Sequence, residues 1–522
     1  MKKLFAFIFV LQIFIASFGQ KSFQSELKLI RTLEIIENFY VDTIKIDDLV
    51  EKTIIQLLKN LDPHSSYIPK SKIREMNEPL EGSFEGIGIS FNILNDTIFV
   101  ISPISGGPSE KVGILPGDRI VKIDGKNVAG IGITNEDVIS SLRGPKGTKV
   151  TVTIYRKNSP ELLDFTIIRD KIPLYSVDAT YMIDSKIGYI KLSRFAQTSH
   201  DEIVNSIKKL KEKGMSDLIL DLSGNGGGLL EVAFEIADEF LEANKLIVYT
   251  EGVKNPRREY KASNSGLFEK GNLVIIIDEG SASASEILAG AIQDWDRGII
   301  VGRRSFGKGL VQKAFKLPDQ SEIRLTVARY YTPSGRSIQK PYNNIEEYET
   351  DIIKRYLKGE LTNKDSIHLS DSLKYYTLIK KRLVYGGGGI MPDYFVPLDT
   401  SDYTDFQRDI IRNGILYQFA LSFTDNNREI LKQNYKDFES FNKNFNISDE
   451  IYKQLIEKAK EKNIKIKESE IEKSENSIKL FLKAYIARDL WGNDEFYKIL
   501  NEKDNKVNKA IEILKNWKKM GI

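Results

Sequence analysis

Two residue types with reactive side chains are scarce in this chain: it contains no cysteine and only three histidines, His64, His200 and His368. Without cysteine, neither a thiolate nucleophile nor a disulfide can form, so every domain depends on its apolar core. None of the three histidines lies in a recognisable catalytic motif. A Ser-His-Asp triad is therefore disfavoured, and a nucleophile is better sought among serines that have another base.

The charge balance excludes further classes of protein. Lys and Arg number 76 against 73 Asp and Glu, which gives a formal net charge of +3 over 522 residues. Nothing in this balance indicates binding to nucleic acid or to an acidic membrane surface. No residues show the spacing of metal ligands, so neither a metal nor a cofactor is predicted. With 41% hydrophobic residues, the length predicts a globular protein of about two to four domains.

The N-terminus has the pattern of a secretory signal peptide. Two lysines precede an apolar run over residues 4–18, and Ser17-Phe18-Gly19 places small residues at the positions that a signal peptidase reads. We expect residues 1–19 to be removed by cleavage near Gln20, and the mature protein to be exported to the periplasm or the cell surface. An uncleaved membrane anchor is the alternative. No later stretch is apolar and long enough to predict a membrane span.

Composition and periodicity divide the rest of the chain into four segments. Residues 22–82 show apolar residues at helical spacing. Residues 84–171 consist of short strand patterns with glycine turns, including the hairpin signal Asp124-Gly125. Residues 172–398 alternate strands with helices, which favours a layered α/β core. Residues 402–522 are rich in lysine and glutamate and predict a helical domain without a recognisable motif. The predicted fold class is therefore multidomain α+β.

Ser283 and Lys308 are the strongest catalytic candidates. Ser283 follows the buried strand pattern of residues 272–277 and precedes a predicted helix, and Lys308 lies between glycines in Phe306-Gly307-Lys308-Gly309. A serine hydroxyl becomes a nucleophile when a neighbouring base takes its proton, and a desolvated lysine can be that base. The alternatives are a helix-capping serine and a lysine in a surface turn.

A second strand-to-helix turn contains Gly226-Gly227-Gly228, directly after the buried strand pattern of residues 217–222. Backbone N–H groups in this turn, and at the start of the helix after Ser283, are suited to stabilise a developing oxyanion. Two such turns at one edge of a sheet are what an acyl-transfer site needs. The sequence therefore predicts that Ser283, Lys308 and the glycine turn form one site.

Residues 84–171 resemble a PDZ domain. The run Gly86-Ile87-Gly88-Ile89 is similar to the carboxylate-binding loop of such domains, and Leu115-Pro116-Gly117-Asp118-Arg119-Ile120 is similar to a turn and strand seen in bacterial members. The resemblance implies a groove that adds a peptide as an extra strand and holds its C-terminal carboxylate in backbone N–H groups. A small β-barrel with the same turns and no ligand is the alternative.

Residues 30–398 as a whole resemble the carboxy-terminal processing peptidases, also called tail-specific proteases. The resemblance rests on the run from Ser281 to Ile287, on the 25-residue spacing between Ser283 and Lys308, and on the PDZ-like segment upstream. It implies a layered protease core related to the crotonase and Clp architecture, with an inserted PDZ domain. It also implies Ser283 as the nucleophile and Lys308 as the general base of an acyl-enzyme mechanism.

The same resemblance assigns roles to further residues. Gln312 matches the third catalytic residue of the family, which orients the lysine. Ala284 and Gly227 match the positions whose backbone N–H groups form the oxyanion hole, with Gly228 as the alternative to Gly227.

Two charged residues have weaker matches. Asp294 corresponds to an acidic position implicated in some members, and a charge at a helix end is the alternative. Arg143 lies where some members use a PDZ arginine to couple peptide binding to activation, and a solvated charge in a turn is the alternative.

Two residues depart from the family pattern. Ser223 stands where the pattern has arginine, so the contacts of that arginine are missing, and Gly226 stands where it has proline, so the glycine turn is less rigid. Neither change removes a catalytic group.

Taken together, the resemblance implies an exported serine endopeptidase that recognises protein C-termini through its PDZ domain. Its expected substrates are polypeptides with free C-termini, and its helical N- and C-terminal regions are expected sites for an adaptor or a second copy of the chain. One alternative is a catalytically inactive PDZ adaptor on a protease scaffold, which the presence of Ser283, Lys308 and Gln312 disfavours. Another is a crotonase-like acyl-CoA enzyme, which export disfavours because coenzyme A is cytoplasmic.

Overall fold

The structure is a computed structural model that describes residues 24–157, 159–263 and 266–519. The predicted signal peptide therefore lies outside the described residues. Two compact units make up the described chain: residues 24–71 with 312–326, and residues 72–311 with 327–519. Among the helices that the structure describes, none combines the length and apolar character needed to span a bilayer.

The helices of the described chain are numbered in sequence order. They are α1 (24–39), α2 (Ile46–Lys59), α3 (Lys70–Glu81), α4 (Pro108–Lys111), α5 (Asn135–Leu142), α6 (Ser199–Glu212), α7 (Leu230–Asp238), α8 (Ala284–Asp294), α9 (Ile345–Glu349), α10 (Asp351–Leu357), α11 (Asp405–Arg412), α12 (Ile415–Asn434), α13 (Phe438–Asn444), α14 (Asp449–Glu461), α15 (Glu468–Trp491), α16 (Asn493–Asn501) and α17 (Asn505–Lys515).

The strands are numbered in the same way. They are β1 (Ser66–Ile68), β2 (Ser83–Gly86), β3 (Ile89–Ile93), β4 (Ile98–Pro103), β5 (Arg119–Ile123), β6 (Lys126–Asn127), β7 (Lys149–Tyr155), β8 (Leu163–Ile168), β9 (Asp170–Pro173), β10 (Val177–Met182), β11 (Ile187–Leu192), β12 (Asp217–Asp221), β13 (Leu246–Gly252), β14 (Asn255–Lys261), β15 (Asn272–Ile277), β16 (Ile299–Gly302), β17 (Leu310–Lys316), β18 (Glu322–Tyr331), β19 (Lys374–Tyr376), β20 (Leu383–Tyr385) and β21 (Tyr394–Phe395).

The first unit combines α1, α2 and β1 with most of β17 and the first half of β18. β1 pairs antiparallel with β18, so that Tyr67 lies opposite Ile323. Asp62, in the turn after α2, accepts hydrogen bonds from the Ser65 hydroxyl (2.6 Å) and the Thr326 hydroxyl (3.0 Å). The helical pattern predicted for residues 22–82 is therefore interrupted by a short strand, which this turn introduces.

In the second unit, residues 84–171 form an antiparallel sheet with strand order β3-β4-β5-β7-β8, and β6 pairs with β5. Asp124 and Gly125 both have positive φ (45° and 77°) in the turn from β5 to β6, as the hairpin signal predicts. α5 inserts Val138 and Leu142 into the apolar core of this sheet. β2 and β9 pair with each other and bring the two ends of the segment together.

A second sheet in this unit has the strand order β10-β11-β12-β15-β16-β21. β10 is antiparallel to β11, and the other neighbours are parallel. Successive side chains point to opposite faces: Leu218 and Leu220 pack with α6, α7 and α8, whereas Ile219 packs with α17. The layered α/β architecture is confirmed.

The carboxyl ends of three neighbouring parallel strands define one edge of this sheet. β12 leads into the turn at residues 222–228, β15 into residues 278–283 and β16 into residues 303–309. Because the strands are parallel and adjacent, the three turns meet at the same edge, where open α/β sheets place their ligands.

Helices α11 to α16 form the predicted helical domain around an apolar core of their own. Aromatic side chains contribute much of this core, for example Phe441, whose ring lies 4.6 Å from that of Phe445 and 5.0 Å from that of Trp491. α17 instead packs on the sheet β10-β11-β12-β15-β16-β21, with Val507 and Ile513 buried among residues of β12 and β15.

Candidate active site

Ser283 occupies the turn between β15 and α8. Five of the six residues of β15 and all residues of α8 are buried, so both elements hold the turn firmly. Ser283 is half-buried and has a φ of 56° and a ψ of −111°, a strained conformation for a residue with a side chain. A sharp strand-to-helix turn of this type presents the serine hydroxyl in nucleophile elbows.

A buried carboxylate, Glu286, joins this turn to the loop that carries Lys308. Its Oε2 accepts hydrogen bonds from the N–H groups of Ser283 (2.8 Å) and Lys308 (2.9 Å). Its Oε1 accepts from the Gly307 N–H (2.7 Å) and the Ser305 hydroxyl (2.5 Å). Burial raises the pKa of Glu286 to about 7, although these hydrogen bonds act in the opposite direction. One side chain therefore brings the backbones of Ser283 and Lys308 together.

The hydroxyl of Tyr330 makes a second connection between the same two segments. It donates toward the carbonyl oxygens of Lys308 (2.6 Å) and Ser283 (3.1 Å), which consequently lie within two hydrogen-bond lengths of each other. Tyr330 is only 1% exposed, and this burial holds the pKa of its phenol well above the usual value. The phenol therefore keeps its proton and acts as a permanent donor to the two backbones.

The glycine turn after β12 lies directly against Ser283. A Cβ atom on Gly227 would be 2.8 Å from the Ser283 Cβ and 2.9 Å from the Ala284 nitrogen, and the φ of Gly227 is +98°. The Ala284 N–H is the first of α8, so no carbonyl of its own helix can accept it. The predicted oxyanion-hole residues Gly227 and Ala284 therefore both flank Ser283.

Asn225 connects the glycine turn to the turn before α8. Its side-chain oxygen accepts the Gly227 N–H (2.9 Å). Its backbone carbonyl accepts the Ala282 N–H (3.0 Å) and the Ser285 hydroxyl (2.8 Å). The Gly227 N–H can therefore act as an oxyanion donor only if its hydrogen bond to the Asn225 side chain is broken or shared with the oxyanion.

The other two glycines of the turn lie in different surroundings. A Cβ on Gly228 would be 2.1 Å from the carbonyl oxygen of Phe195, so Gly228 is fixed against the strand connection that follows β11. Gly226 is exposed, and a Cβ on it would meet no atom within 4 Å. The close contact with Ser283 thus belongs to Gly227, and the missing proline at Gly226 leaves no gap in the packing.

Lys191 places a cation beside Ser223, where the family pattern has arginine. Its ammonium donates to the Ser223 carbonyl oxygen (2.6 Å) and pairs with Asp221 (3.1 Å). Burial alone would raise the pKa of Asp221, but attraction to Lys191 and other favourable contacts outweigh it and lower this pKa. Asp221 therefore has a cationic partner from a neighbouring strand.

Gln312 belongs to the first compact unit, whereas Ser283 and Lys308 belong to the second. Within the first unit, its amide donates to the Thr326 hydroxyl (3.3 Å), and that hydroxyl donates to Asp62 (3.0 Å). This chain fixes the plane of the Gln312 amide.

Asp294 lies at the last position of α8, the full length of that helix from Ser283. Its carboxylate pairs with Arg336 (2.7 Å), and neither side chain is exposed to solvent. It also accepts hydrogen bonds from the N–H (2.9 Å) and hydroxyl (2.7 Å) of Ser334. These contacts connect the end of α8 to the turn after β18.

Arg143 follows α5 and is not a freely solvated charge. Its guanidinium pairs with Glu78 of α3 and lies over the ring of Phe84, 4.6 Å from the ring centre. The Glu78 side chain is 7% exposed. Arg143 therefore ties the end of the predicted peptide groove to α3.

The predicted carboxylate-binding loop, Gly86-Ile87-Gly88-Ile89, connects β2 to β3. Ile87 is buried, and its carbonyl accepts the N–H (3.1 Å) and hydroxyl (2.7 Å) of Ser109. The Gly88 carbonyl accepts the Ile104 N–H (2.9 Å). The loop is thus anchored through its carbonyl groups and leads directly into β3 at the edge of the sheet.

Glu286 and Tyr330 are not among the residues predicted from the sequence. Glu286 stands three residues after Ser283, which is the spacing of a capping box and indicates only the start of a helix. Its contacts with residues 305–308 are long-range, and no local sequence pattern predicts them. Tyr330 gives no signal beyond its position in a predicted strand.

Three parts of the chain match known families. Residues 186–349 match Peptidase family S41, and residues 86–167 match the PDZ domain. Residues 406–492 match a family of unknown function, DUF8443. The predicted PDZ domain and protease core are thereby confirmed.

Several curated relatives are similar over most of their length. The carboxy-terminal-processing protease of Bartonella bacilliformis is 40% identical over 320 residues, which cover 60% of this chain and 73% of that protein. The carboxy-terminal processing protease CtpA of Bacillus subtilis is 34% identical over 362 residues, which cover 69% of this chain and 74% of that protein. Among solved structures, the photosystem II D1 C-terminal processing protease is 29% identical to this chain. The match covers 59% of this chain and 82% of that chain, with a TM-score of 0.33. The chain therefore belongs to the carboxy-terminal processing protease family and is a serine protease with a PDZ domain.

Proposed function

We propose that Ser283 and Lys308 hydrolyse peptide bonds as nucleophile and general base, through an acyl-enzyme. The observation that carries this proposal is the convergence of the Ser283 and Lys308 N–H groups on one oxygen of Glu286. Two side chains that start from such closely held backbones can reach each other, as proton transfer requires.

The reaction follows from the chemistry of these groups. The neutral amine of Lys308 takes the proton of the Ser283 hydroxyl while the serine oxygen bonds to the substrate's carbonyl carbon. The N–H groups of Ala284 and of Gly227 or Gly228 stabilise the negative charge on the carbonyl oxygen. As the C–N bond breaks, the Lys308 ammonium gives its proton to the leaving amine. Water then hydrolyses the ester with Lys308 again as the base.

Gln312 is proposed to orient the Lys308 ammonium, as the family resemblance implies. Support comes from its own surroundings, because the hydrogen bonds through Thr326 to Asp62 hold its amide in one orientation.

The PDZ domain is proposed to select substrates by their free C-terminus. A peptide that pairs with β3 would place its terminal carboxylate at the Gly86-Ile87-Gly88-Ile89 loop and add a strand to the free edge of the sheet. Amidation removes the terminal charge and should weaken cleavage, whereas equal cleavage of amidated and free substrates would contradict capture by the PDZ domain.

Cleavage of an unstructured protein by Lys308→Ala tests the proposed base. Loss of a general base lowers turnover by about 10²–10⁴-fold. Lys313→Ala removes an exposed lysine of β17 and is the matched control, which should retain full activity. Turnover of Lys308→Ala at the parent rate, with only a displaced pH profile, would identify a different base.

Export is proposed from the signal pattern of residues 1–19. Sequencing the N-terminus of the protein recovered from the periplasm or the medium should give a chain that begins at Gln20. An N-terminus at Met1 in the membrane fraction would instead indicate an anchor.

A further inference from the structure

The proposed peptide groove has a closed end and an open end. At the closed end, the end of α5 lies next to the carboxylate-binding loop: a Cβ on Gly86 would be 3.6 Å from the Cα of Arg143. A peptide whose terminal carboxylate sits there runs antiparallel to β3, because the loop precedes that strand. Upstream residues of the peptide must therefore leave the groove at the other end of β3.

That other end is the turn of the β3–β4 hairpin. Asp96, in the turn, accepts hydrogen bonds from the N–H groups of Gly132 (2.8 Å) and Ile133 (3.1 Å) with its carboxylate. Its backbone carbonyl accepts the Gly130 N–H (2.8 Å). Residues 130–133 lead into α5, so both walls of the groove, β3 and α5, come together at Asp96. The exit of the groove is thus fixed at this turn.

A cavity of about 990 Å³ begins at the same turn. Residues 93–96 line it on the PDZ side, and helices α12 and α14 of the C-terminal helical domain line it on the other. Its volume is at the upper end of the range of ligand pockets, about 300–1,000 Å³. The cavity therefore lies between the exit of the groove and a domain whose family has no assigned function.

A partly buried ion pair fixes the helical domain at this place. Arg119 of β5 pairs with Asp425 of α12 at 2.7 Å, with side chains 26% and 10% exposed. Asp425 lies two residues after Phe423, which lines the cavity. The position of α12 beside the PDZ domain is thus set by a specific contact.

The lining of the cavity suits an extended polypeptide of varied sequence. Ile415, Phe419 and Phe423 recur every four residues and share one face of α12, which provides apolar contact. α14 and Lys462, the residue that follows it, contribute three acidic and three basic side chains: Glu450, Glu457, Glu461, Lys453, Lys458 and Lys462. Because charges of both signs are present, the lining favours neither an acidic nor a basic polypeptide. The aromatic side chains can pack against many different peptide side chains.

We infer that this cavity binds the segment of the substrate immediately upstream of the C-terminal residues held in the PDZ groove. The inference rests on the proposed capture of C-termini by the PDZ domain. β3 has five residues and pairs with about as many peptide residues. The segment in the cavity therefore begins about six residues from the substrate's C-terminus. The C-terminal domain then acts as an extension of the substrate-binding site.

Binding of two labelled peptides to the full-length Ser283→Ala protein tests this inference. One peptide has five residues, and the other has fifteen residues with the same last five and a free carboxylate. Fluorescence anisotropy should show about tenfold tighter binding of the long peptide, as expected for one additional aromatic contact region. Equal affinities of the two peptides would overturn the inference and leave the cavity to another occupant.

A substitution that fills the cavity tests whether the tighter binding of the long peptide arises there. Gln454 is an exposed residue of α14 that lines the cavity, and Gln454→Trp should remove the gain of the long peptide while the short peptide binds as before. Glu429→Trp, at an exposed position of α12 outside the cavity, is the matched control and should change neither affinity. Equal weakening of both peptides by Gln454→Trp, or no weakening, would contradict the inference. If neither peptide bound the parent protein, capture by the PDZ domain itself would be refuted, and the inference with it.

Discussion

The backbone N–H groups of Ser283 and Lys308 donate to the same atom, Oε2 of Glu286, at 2.8 and 2.9 Å. The two residues come from turns that follow different strands, β15 and β16, and the Glu286 side chain is hydrogen-bonded to both turns. Four donors surround this fully buried carboxylate, and each of them would be left unpaired without it, which is costly in a buried environment. The alignment of the proposed nucleophile and base therefore depends on a residue that need not touch the substrate.

Glu286→Gln should lower turnover by about 10²-fold while substrate binding changes little. An amide has only one acceptor oxygen, so its NH₂ group would oppose the N–H groups that now converge on the carboxylate. Steady-state kinetics should show the loss in kcat and not in KM. Glu231→Gln, at an exposed position of α7, is the control, and an unchanged kcat in Glu286→Gln would contradict the positioning role.

Glu286 should also give the stability of the protein a characteristic pH dependence. Its pKa is raised from 4.5 to about 7 in the folded protein, so between these pH values the folded state holds a proton that the unfolded state has released. The resulting stabilisation is present below pH 4.5 and is lost as the pH rises to about 7, by about 3 kcal/mol in total. Urea unfolding of the parent and of Glu286→Gln across this range should show the parent losing stability relative to the variant. Parallel curves would show that Glu286 does not titrate in this window.

Gly227→Ala should abolish most activity, and Gly226→Ala should not. A methyl group on Gly227 would overlap the Ser283 Cβ and the Ala284 nitrogen. The alanine would also have to adopt a φ of +98°, which is unfavourable for a residue with a side chain. Loss of an oxyanion donor alone costs about 10²–10³-fold in turnover. A methyl group on Gly226 would meet no atom within 4 Å, which makes this neighbour a control with the same chemical change. Similar activities of the two variants would contradict the placement of the oxyanion site at Gly227.

Asp294→Ala should lower the stability of the protein and leave the rate of the chemical step unchanged. The substitution leaves the buried Arg336 guanidinium without its carboxylate, and breaking such a pair costs about 3–5 kcal/mol. Urea unfolding should show this loss, whereas turnover per folded molecule at low temperature should match the parent. Asp201→Ala, at an exposed position of α6, is the control for stability. Normal stability combined with lost turnover would instead assign Asp294 to catalysis.

Much of the fold follows from local sequence patterns. The buried strand that ends before Ser283, the helix after it and the hairpin at Asp124-Gly125 each have a signal within a few residues. The parallel order of the strands then places the predicted turns at one edge of the sheet.

The residues that hold the site together could not be found in this way. Glu286 accepts hydrogen bonds from residues 305–308, about 20 positions away, and the Arg119–Asp425 pair spans about 300 positions. Such contacts arise only when elements pack, and a single sequence carries no periodic signal for them. Sequence patterns therefore predict candidate reacting groups, whereas packing decides which groups position them.

The most direct measurement is the hydrolysis of an unstructured protein with a free C-terminus by residues 20–522, beside the Ser283→Ala variant. The parent should cleave it, and the variant, which removes only the nucleophilic oxygen, should fold normally and produce no fragments above background. Cleavage by the variant at the parent rate would contradict Ser283 as the nucleophile and, with it, the proposed Ser-Lys mechanism.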